Sequence, residues 1–244
     1  MIMIPQKQQN KSLSSSQSGF TIIESLVAII VVSILLIGIA PVIVLAVGVR
    51  VQARRVERAT EAAKTYIDGI RSGAIDAPTS IVGTAPTLTQ GSSILLNDAP
   101  PPTSGSLTCT TSSDYCPTPA TVYCINLDET GGCQVDSASD LVVQGFRSAT
   151  LATGAIANDP ARGYRLGVRV YRANGFSDST DFKKNTPTAN VTQSASSGTL
   201  GDRKAPLVEM TTDIAPTGNF NGSYSNWCDR LRSTRTLPTT SNCR

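Results

Sequence analysis

The 244-residue chain contains no histidine. Ser/His and Cys/His nucleophile arrangements are therefore unavailable to it, and a zinc site would lose one of its usual ligand types. The six cysteines, Cys109, Cys116, Cys124, Cys133, Cys228 and Cys243, include no C-x-x-C pair. Their spacing is wide for a metal cluster. An even number beyond a membrane-length segment points instead to disulfides in an oxidising compartment, and six cysteines leave about 15 complete pairings open. The aspartates lack the dense D-x-[DN]-x-[DN]-G pattern of a calcium loop. No pair of acids stands at a position informative for glycoside hydrolysis. Charged residues reach only 16% and aromatics 5%. These absences lead to the expectation of a chain with no catalytic residues, no metal and no cofactor.

The charge that is present sits in particular places. Residues 1–19 carry Lys7 and Lys11 and no acid; residues 50–71 carry Arg50, Arg54, Arg55, Arg58, Lys64 and Arg71 against Glu57, Glu61 and Asp68. Residues 72–244 hold 13 basic and 14 acidic side chains, so the net charge of +3 is concentrated near the N-terminus. A near-neutral bulk gives no electrostatic footprint for nucleic acid. Between the basic flanks the chain is apolar. From Ser25 to Val49, 25 residues pass without a charge, enough to cross a hydrocarbon layer of about 30 Å as a helix. Gly38 and Pro41 interrupt the run. A proline within a helix removes one backbone hydrogen bond and crowds the preceding turn, so a kink is expected there.

Beyond the run the period changes. Val49, Ala53, Val56, Thr60, Ala63, Ile67 and Ile70 step by alternating fours and threes, which predicts one apolar stripe on a helix continuing to about residue 71. Lys64–Asp68 at i,i+4, and Arg54–Glu57, Arg58–Glu61, Glu61–Lys64 and Asp68–Arg71 at i,i+3, are candidate ion pairs on its polar face. Gly73 and Pro78 supply the stop. The remainder reads as β-rich. "GYRLGVRVYRA" alternates, with Tyr164, Leu166, Val168 and Val170 on one face. Arg165, Arg169 and Tyr171 take the other, which is expected to be solvated. "TVYCINL" (121–127), "DLVVQGF" (140–146) and "APLVEMTT" (205–212) are further strand candidates. "DAPPPTSGS" (98–106) and "TPTANVTQSASSGTLGD" (186–202) are polar loops. A Cys228–Cys243 bridge would close a loop of about 15 residues and stabilise the irregular tail by about 3 kcal/mol in the chain-entropy treatment.

Three readings of the N-terminus compete. A secretory signal has an apolar region of only about 7–15 residues. A plain membrane anchor explains the length and the lysines on the inner side, but leaves an acid, Glu24, unfavourably placed near the start of the run. The third reading uses every feature. "KSLSSSQSGFTIIESLVAIIVVSILLIGIAPVIV" resembles the N-terminus of the type IV pilin and pseudopilin family. A basic leader ends in Gly19, Phe20 follows, Glu24 is the fifth residue after Gly19, and Pro41 falls within the apolar run where the family often has its proline.

The resemblance implies chemistry done to this chain rather than by it. A prepilin peptidase would cut between Gly19 and Phe20 and methylate the new amino group of Phe20. Glu24 would serve assembly with other pilin or pseudopilin subunits, through an inner-membrane assembly platform and its ATPase. The implied fold is α+β: a long N-terminal helix, transmembrane in its first half, packed on a small antiparallel sheet with a disulfide-closed C-terminal loop. The implied parts are a leader (1–19), a transmembrane assembly helix (20–49), an amphipathic extension (50–75) and an extracytoplasmic head (76–244). "RATEAAKTYIDGIRSG", "YRLGVRVYRA" and "RKAPLVEM" are similar to a cyanobacterial pseudopilin group tied to polysaccharide secretion and motility. The expected function is a non-enzymatic minor subunit of a pilus-like or secretion filament, held at the inner membrane. The alternative is a head that acts as a binding module for a surface, DNA or a polysaccharide.

Overall fold

A computed structural model describes residues 21–82, 99–148, 159–193, 201–217, 228 and 242. The chain divides into two compact units, 1–46 and 47–244. In the first, every described residue is helical except Thr21, and all are exposed. They form the first part of helix α1 (Ile22–Ser72). Helical assignment continues through Gly38 and Pro41.

In the second unit, the end of α1 packs on a sheet. The strands are β1 (Ile81–Val82), β2 (Val122–Ile125), β3 (Leu141–Ser148), β4 (Tyr164–Arg172) and β5 (Val208–Ile214). β3 pairs antiparallel with β4, and β4 with β5. On its other side β3 takes β2 antiparallel along Leu141–Gln144 and β1 parallel at Arg147 and Ser148. The sheet is thus mixed rather than wholly antiparallel, through one two-residue pairing. That pairing follows from the helix exit: Arg147 Nε donates to the Pro78 carbonyl at 2.8 Å, and the Arg147 amide to that of Ser80 at 2.9 Å. The chain leaving α1 is tied to the end of β3, where its next residues can only run alongside.

The alternation in β4 puts Tyr164, Leu166, Val168 and Val170 into the core beneath the helix. The helix answers with Ala59, Ala62, Ala63, Tyr66, Ile67 and Ile70, and also buries Gln52. Its buried stripe is therefore wider than the sequence pattern and is turned by about one residue. A pattern scored on apolar character passes over Tyr66 and Gln52, and both are almost fully buried. Of the helix's expected ion pairs, only Asp68–Arg71 forms among the described residues, at 3.5 Å.

Tyr66 is the centre of this core. Its ring lies 5.4 Å from that of Tyr123 and 6.4 Å from that of Tyr115. Tyr115 donates to the Asp76 carbonyl at 3.0 Å, so Tyr66 donates to Tyr115, at 2.7 Å. Burial pushes both phenols up, that of Tyr115 to about 12. The Tyr66 hydroxyl is accommodated only because residue 145 on β3 has no side chain: a Cβ there would fall on that hydroxyl, 2.8 Å from Tyr66 Cζ and 3.0 Å from Pro78 Cγ.

The far face of the sheet is also covered, which corrects the expectation of a solvated face. Val122, Val142, Tyr171, Phe176 and Phe182 form a second core with Cys109, Cys116, Cys124 and Cys133. Arg169 and Tyr171 are 0% exposed. Ala99 and Pro100 of the polar loop 98–106 cover Arg169, while Phe176, Phe182 and the cysteine-bearing segments cover Tyr171. Cys109–Cys116 and Cys124–Cys133 are disulfides spanning 7 and 9 residues, each contributing about 2–3 kcal/mol in the chain-entropy treatment. Cys228 is buried and disulfide-bonded; Cys243 lies outside the described residues.

Gly145→Ala is expected to destabilise the head by about 1–3 kcal/mol, as overpacking does. Thermal melting of the full chain in detergent should show Tm lower by at least about 2 °C. An unchanged Tm would mean that Tyr66 does not depend on this gap.

Candidate processing and assembly site

Gly19 and Phe20 lie outside the described residues, so the site begins at Thr21. The hydroxyl oxygen of Thr21 accepts from the Glu24 amide at 3.3 Å, and its carbonyl from the Ser25 amide at 3.2 Å. Thr21 is thus the N-cap of α1, and "TIIE" has the spacing of a capping box. The sequence held this signal, but attention to the acid alone missed it. The cap fixes the helix start and puts Glu24 in the first turn, where a negative charge suits the exposed amide dipoles. Glu24 is exposed and forms no ion pair among the described residues. Its carboxylate is therefore open to a partner.

From Glu24 onward the surface is apolar on every side. Ile22, Leu26, Ile30, Ile37 and Val44 are each at least half exposed, as are the large apolar residues between them. This is the one described helix long and apolar enough to cross a membrane, and it fits membrane anchoring. Ser25 and Ser33 direct their hydroxyls back to the carbonyls of Ile22 and Ile29, at 2.8 and 2.7 Å. Their polarity is absorbed by the helix itself.

In the head, the polar groups are engaged structurally. Arg169 bonds Glu209 at 3.0 Å, with the two side chains 0% and 2% exposed. Arg169 also donates to the Ala99 carbonyl at 3.0 Å and lies 4.9 Å from the centre of the Phe146 ring. The Asn185 amide donates to the same Glu209 oxygen, at 3.1 Å. Neither residue was singled out as a pair from sequence. What joins them is register: Arg169 stands directly opposite Glu209 on the neighbouring strand. Of the loop charges, Lys183 pairs with Asp202 at 2.6 Å, while Arg203 and Lys204 both reach Asp178.

Where the helix enters the head, Gln52 donates to Gln193 at 2.6 Å. Arg172, at the end of β4, donates to the Gly201 carbonyl at 3.3 Å. Burial pushes the Arg172 guanidinium below its usual basicity, and the nearby Arg55 charge acts in the same direction. Asp128 is held low by hydrogen bonds from Thr130 and Ser137, so its loop satisfies its own carboxylate. Among the described residues no group of three or more potential metal ligands occurs.

The described residues thus combine an exposed apolar helix of membrane-spanning length, a capped acidic first turn and a disulfide-bonded sheet, an arrangement that fits membrane anchoring. The family model for the prokaryotic N-terminal methylation motif matches residues 14–40, which supports placing this chain in the type IV pilin and pseudopilin family. The match spans Gly19, Phe20, Glu24 and Gly38 and ends just before Pro41. No curated protein and no solved structure matches the chain.

Glu209→Ala is expected to cost about 3–5 kcal/mol of head stability, because it leaves the Arg169 guanidinium buried and unpaired. Urea unfolding would show a clear fall in midpoint; a midpoint like that of wild type would mean that Arg169 finds water once its partner is removed.

Proposed function

We propose that the chain is a minor pilin or pseudopilin, cut after Gly19 by a prepilin peptidase and methylated on Phe20. On this reading residues 1–19 are the leader and 20–49 the membrane and assembly helix. Residues 50–75 carry the helix into the head, and 76–244 form the head. The observation that carries the reading is the methylation motif over residues 14–40, set on a helix whose following residues are exposed and apolar. Such a surface is stable in lipid or against other apolar helices, and in neither case does it need to be cut away.

Cleavage creates an α-ammonium at Phe20, which is costly to bury among apolar helices. Glu24 is exposed and free of ion pairs among the described residues, so it can neutralise the terminus of a neighbouring subunit offset along the filament. An assembly platform and its ATPase would draw subunits from the inner membrane, with the head outside the cytoplasm. The filament would serve secretion, of polysaccharide in the group that the head segments resemble, or motility. A head acting as a polymer-binding module is the second reading. The near-neutral charge of residues 72–244 argues against DNA as that polymer.

N-terminal sequencing with mass measurement of the membrane-extracted protein should find a start at N-methyl-Phe20. A start at Met1 would leave a plain anchor, and a start at Arg54 would mean an ordinary signal peptide. Glu24→Ala should reduce recovery in sheared filaments by at least about tenfold, following the loss of one partner of a buried pair. Incorporation at the wild-type level would remove Glu24 from assembly.

A further inference from the structure

The sequence carries the dipeptide tyrosine–cysteine twice, at Tyr115–Cys116 and Tyr123–Cys124. The structure lays the two side by side. Tyr115 and Tyr123 form an antiparallel bridge. The Cys116 amide donates to the Val122 carbonyl at 2.9 Å, and the Cys124 amide to that of Asp114 at 2.8 Å. Neighbouring residues of an extended chain point to opposite faces. Both tyrosines accordingly pack with Tyr66 in the core beneath the helix, and both cysteines enter the core on the far side. The rings of Tyr115 and Tyr123 meet edge to face, 5.3 Å apart. Two aromatic partners of Tyr66 thus each stand one residue from a disulfide, Cys109–Cys116 or Cys124–Cys133. The two bridges also touch: a Cβ on Gly132, next to Cys133, would fall on the Cys109 carbonyl. Apart from the single bridge at Tyr115, residues 108–118 belong to no helix or strand. Their shape rests on that pairing, on the Thr108 amide donating to the Thr118 carbonyl at 2.9 Å, and on the Cys109–Cys116 bond.

We infer that these two disulfides are a redox lock on the seating of α1, with Cys109–Cys116 as its main bolt. Closing each bridge takes two protons and two electrons from a thiol pair. They pass to the disulfide of an external thiol oxidant, which leaves as a dithiol. In a reducing compartment the pairs stay open. The segment bearing Tyr115 then keeps its chain freedom, and the Tyr66 hydroxyl has no fixed acceptor in a core where an unmade hydrogen bond is costly. Closure behind the sheet sets Tyr115 and Tyr123 in front of it, and the helix end beds down on them. Cys109 is 5% exposed and the other three are 2% exposed or less, so a closed lock is shielded from outside thiols. The timing rests on the reading that places the head outside the cytoplasm: the helix end would seat only after the head has crossed. The coupling itself rests on the tyrosine–cysteine geometry.

Hydrogen exchange followed by mass spectrometry, on the full chain in non-ionic detergent, reads the helix and the strands separately. C109A/C116A should speed exchange over residues 59–70 by at least about tenfold, while β4 keeps its wild-type protection. C124A/C133A should do less, because Tyr123 is also held in β2 by the pairing with β3. Y115A leaves both bridges intact and should loosen residues 59–70 in the same way. Combined with C109A/C116A it should add little, since both changes remove one support. Wild type opened with dithiothreitol, its free thiols counted by alkylation and mass, should exchange over 59–70 like C109A/C116A. Wild-type protection of 59–70 in C109A/C116A, or in the opened wild type, would overturn the inference. So would an equal loss of protection in β4, which would mean that the bridge supports the whole head, and so would simple addition of the Y115A and C109A/C116A effects. Failure of the pilin reading shows elsewhere: a chain starting at Met1 would withdraw that assignment and leave these exchange results as they stand.

Discussion

The head is organised around one buried phenol. Tyr66 is 0% exposed, so its ring must be packed on all sides and its hydroxyl must find a partner. Gly145 provides the space, Tyr123 the ring contact and Tyr115 the hydrogen-bond acceptor. These belong respectively to the central strand, its short antiparallel neighbour and the segment next to the Cys109–Cys116 bridge. One side chain from the helix thus fixes three parts of the head at once. The small residues Ala59, Ala62 and Ala63 are buried on the same face of the helix.

The second constraint lies across the sheet. A sheet with a helix on one face commonly leaves its other face to water, and the alternation of Arg165, Arg169 and Tyr171 fits that picture. Here the opposite face carries its own core, built with Phe176, Phe182 and two short disulfides from the covering segments. Once the cover is in place, Arg169 has no route to solvent and requires a carboxylate.

Legibility followed the range of the physics involved. The apolar run and the alternation in β4 are local patterns, and they translate directly into α1 and a core strand; the cap at Thr21 is equally local but was not read. The methylation motif is local too, which is why a match over residues 14–40 says much about the N-terminus and nothing about the head. The covered far face, the rotated stripe on α1 and the pairing β1–β3 depend on residues distant in sequence. Tyr66 and Gln52 read as polar until the sheet is laid against them. The cysteine pairing was open because spacing alone does not order six thiols; the structure closes neighbours with neighbours in two cases.

Arg169 and Glu209 face each other at a single alignment of β4 and β5. Sliding β5 by one residue would turn its side chains to the wrong face. Sliding it by two would set Leu207 or Thr211 against the buried guanidinium. Neither neighbour offers a negative charge, so both slipped pairings would leave an isolated ion in the interior, a far greater penalty than a few lost apolar contacts. The buried pair therefore works as a key that admits one alignment of the last described strand and rejects the adjacent ones.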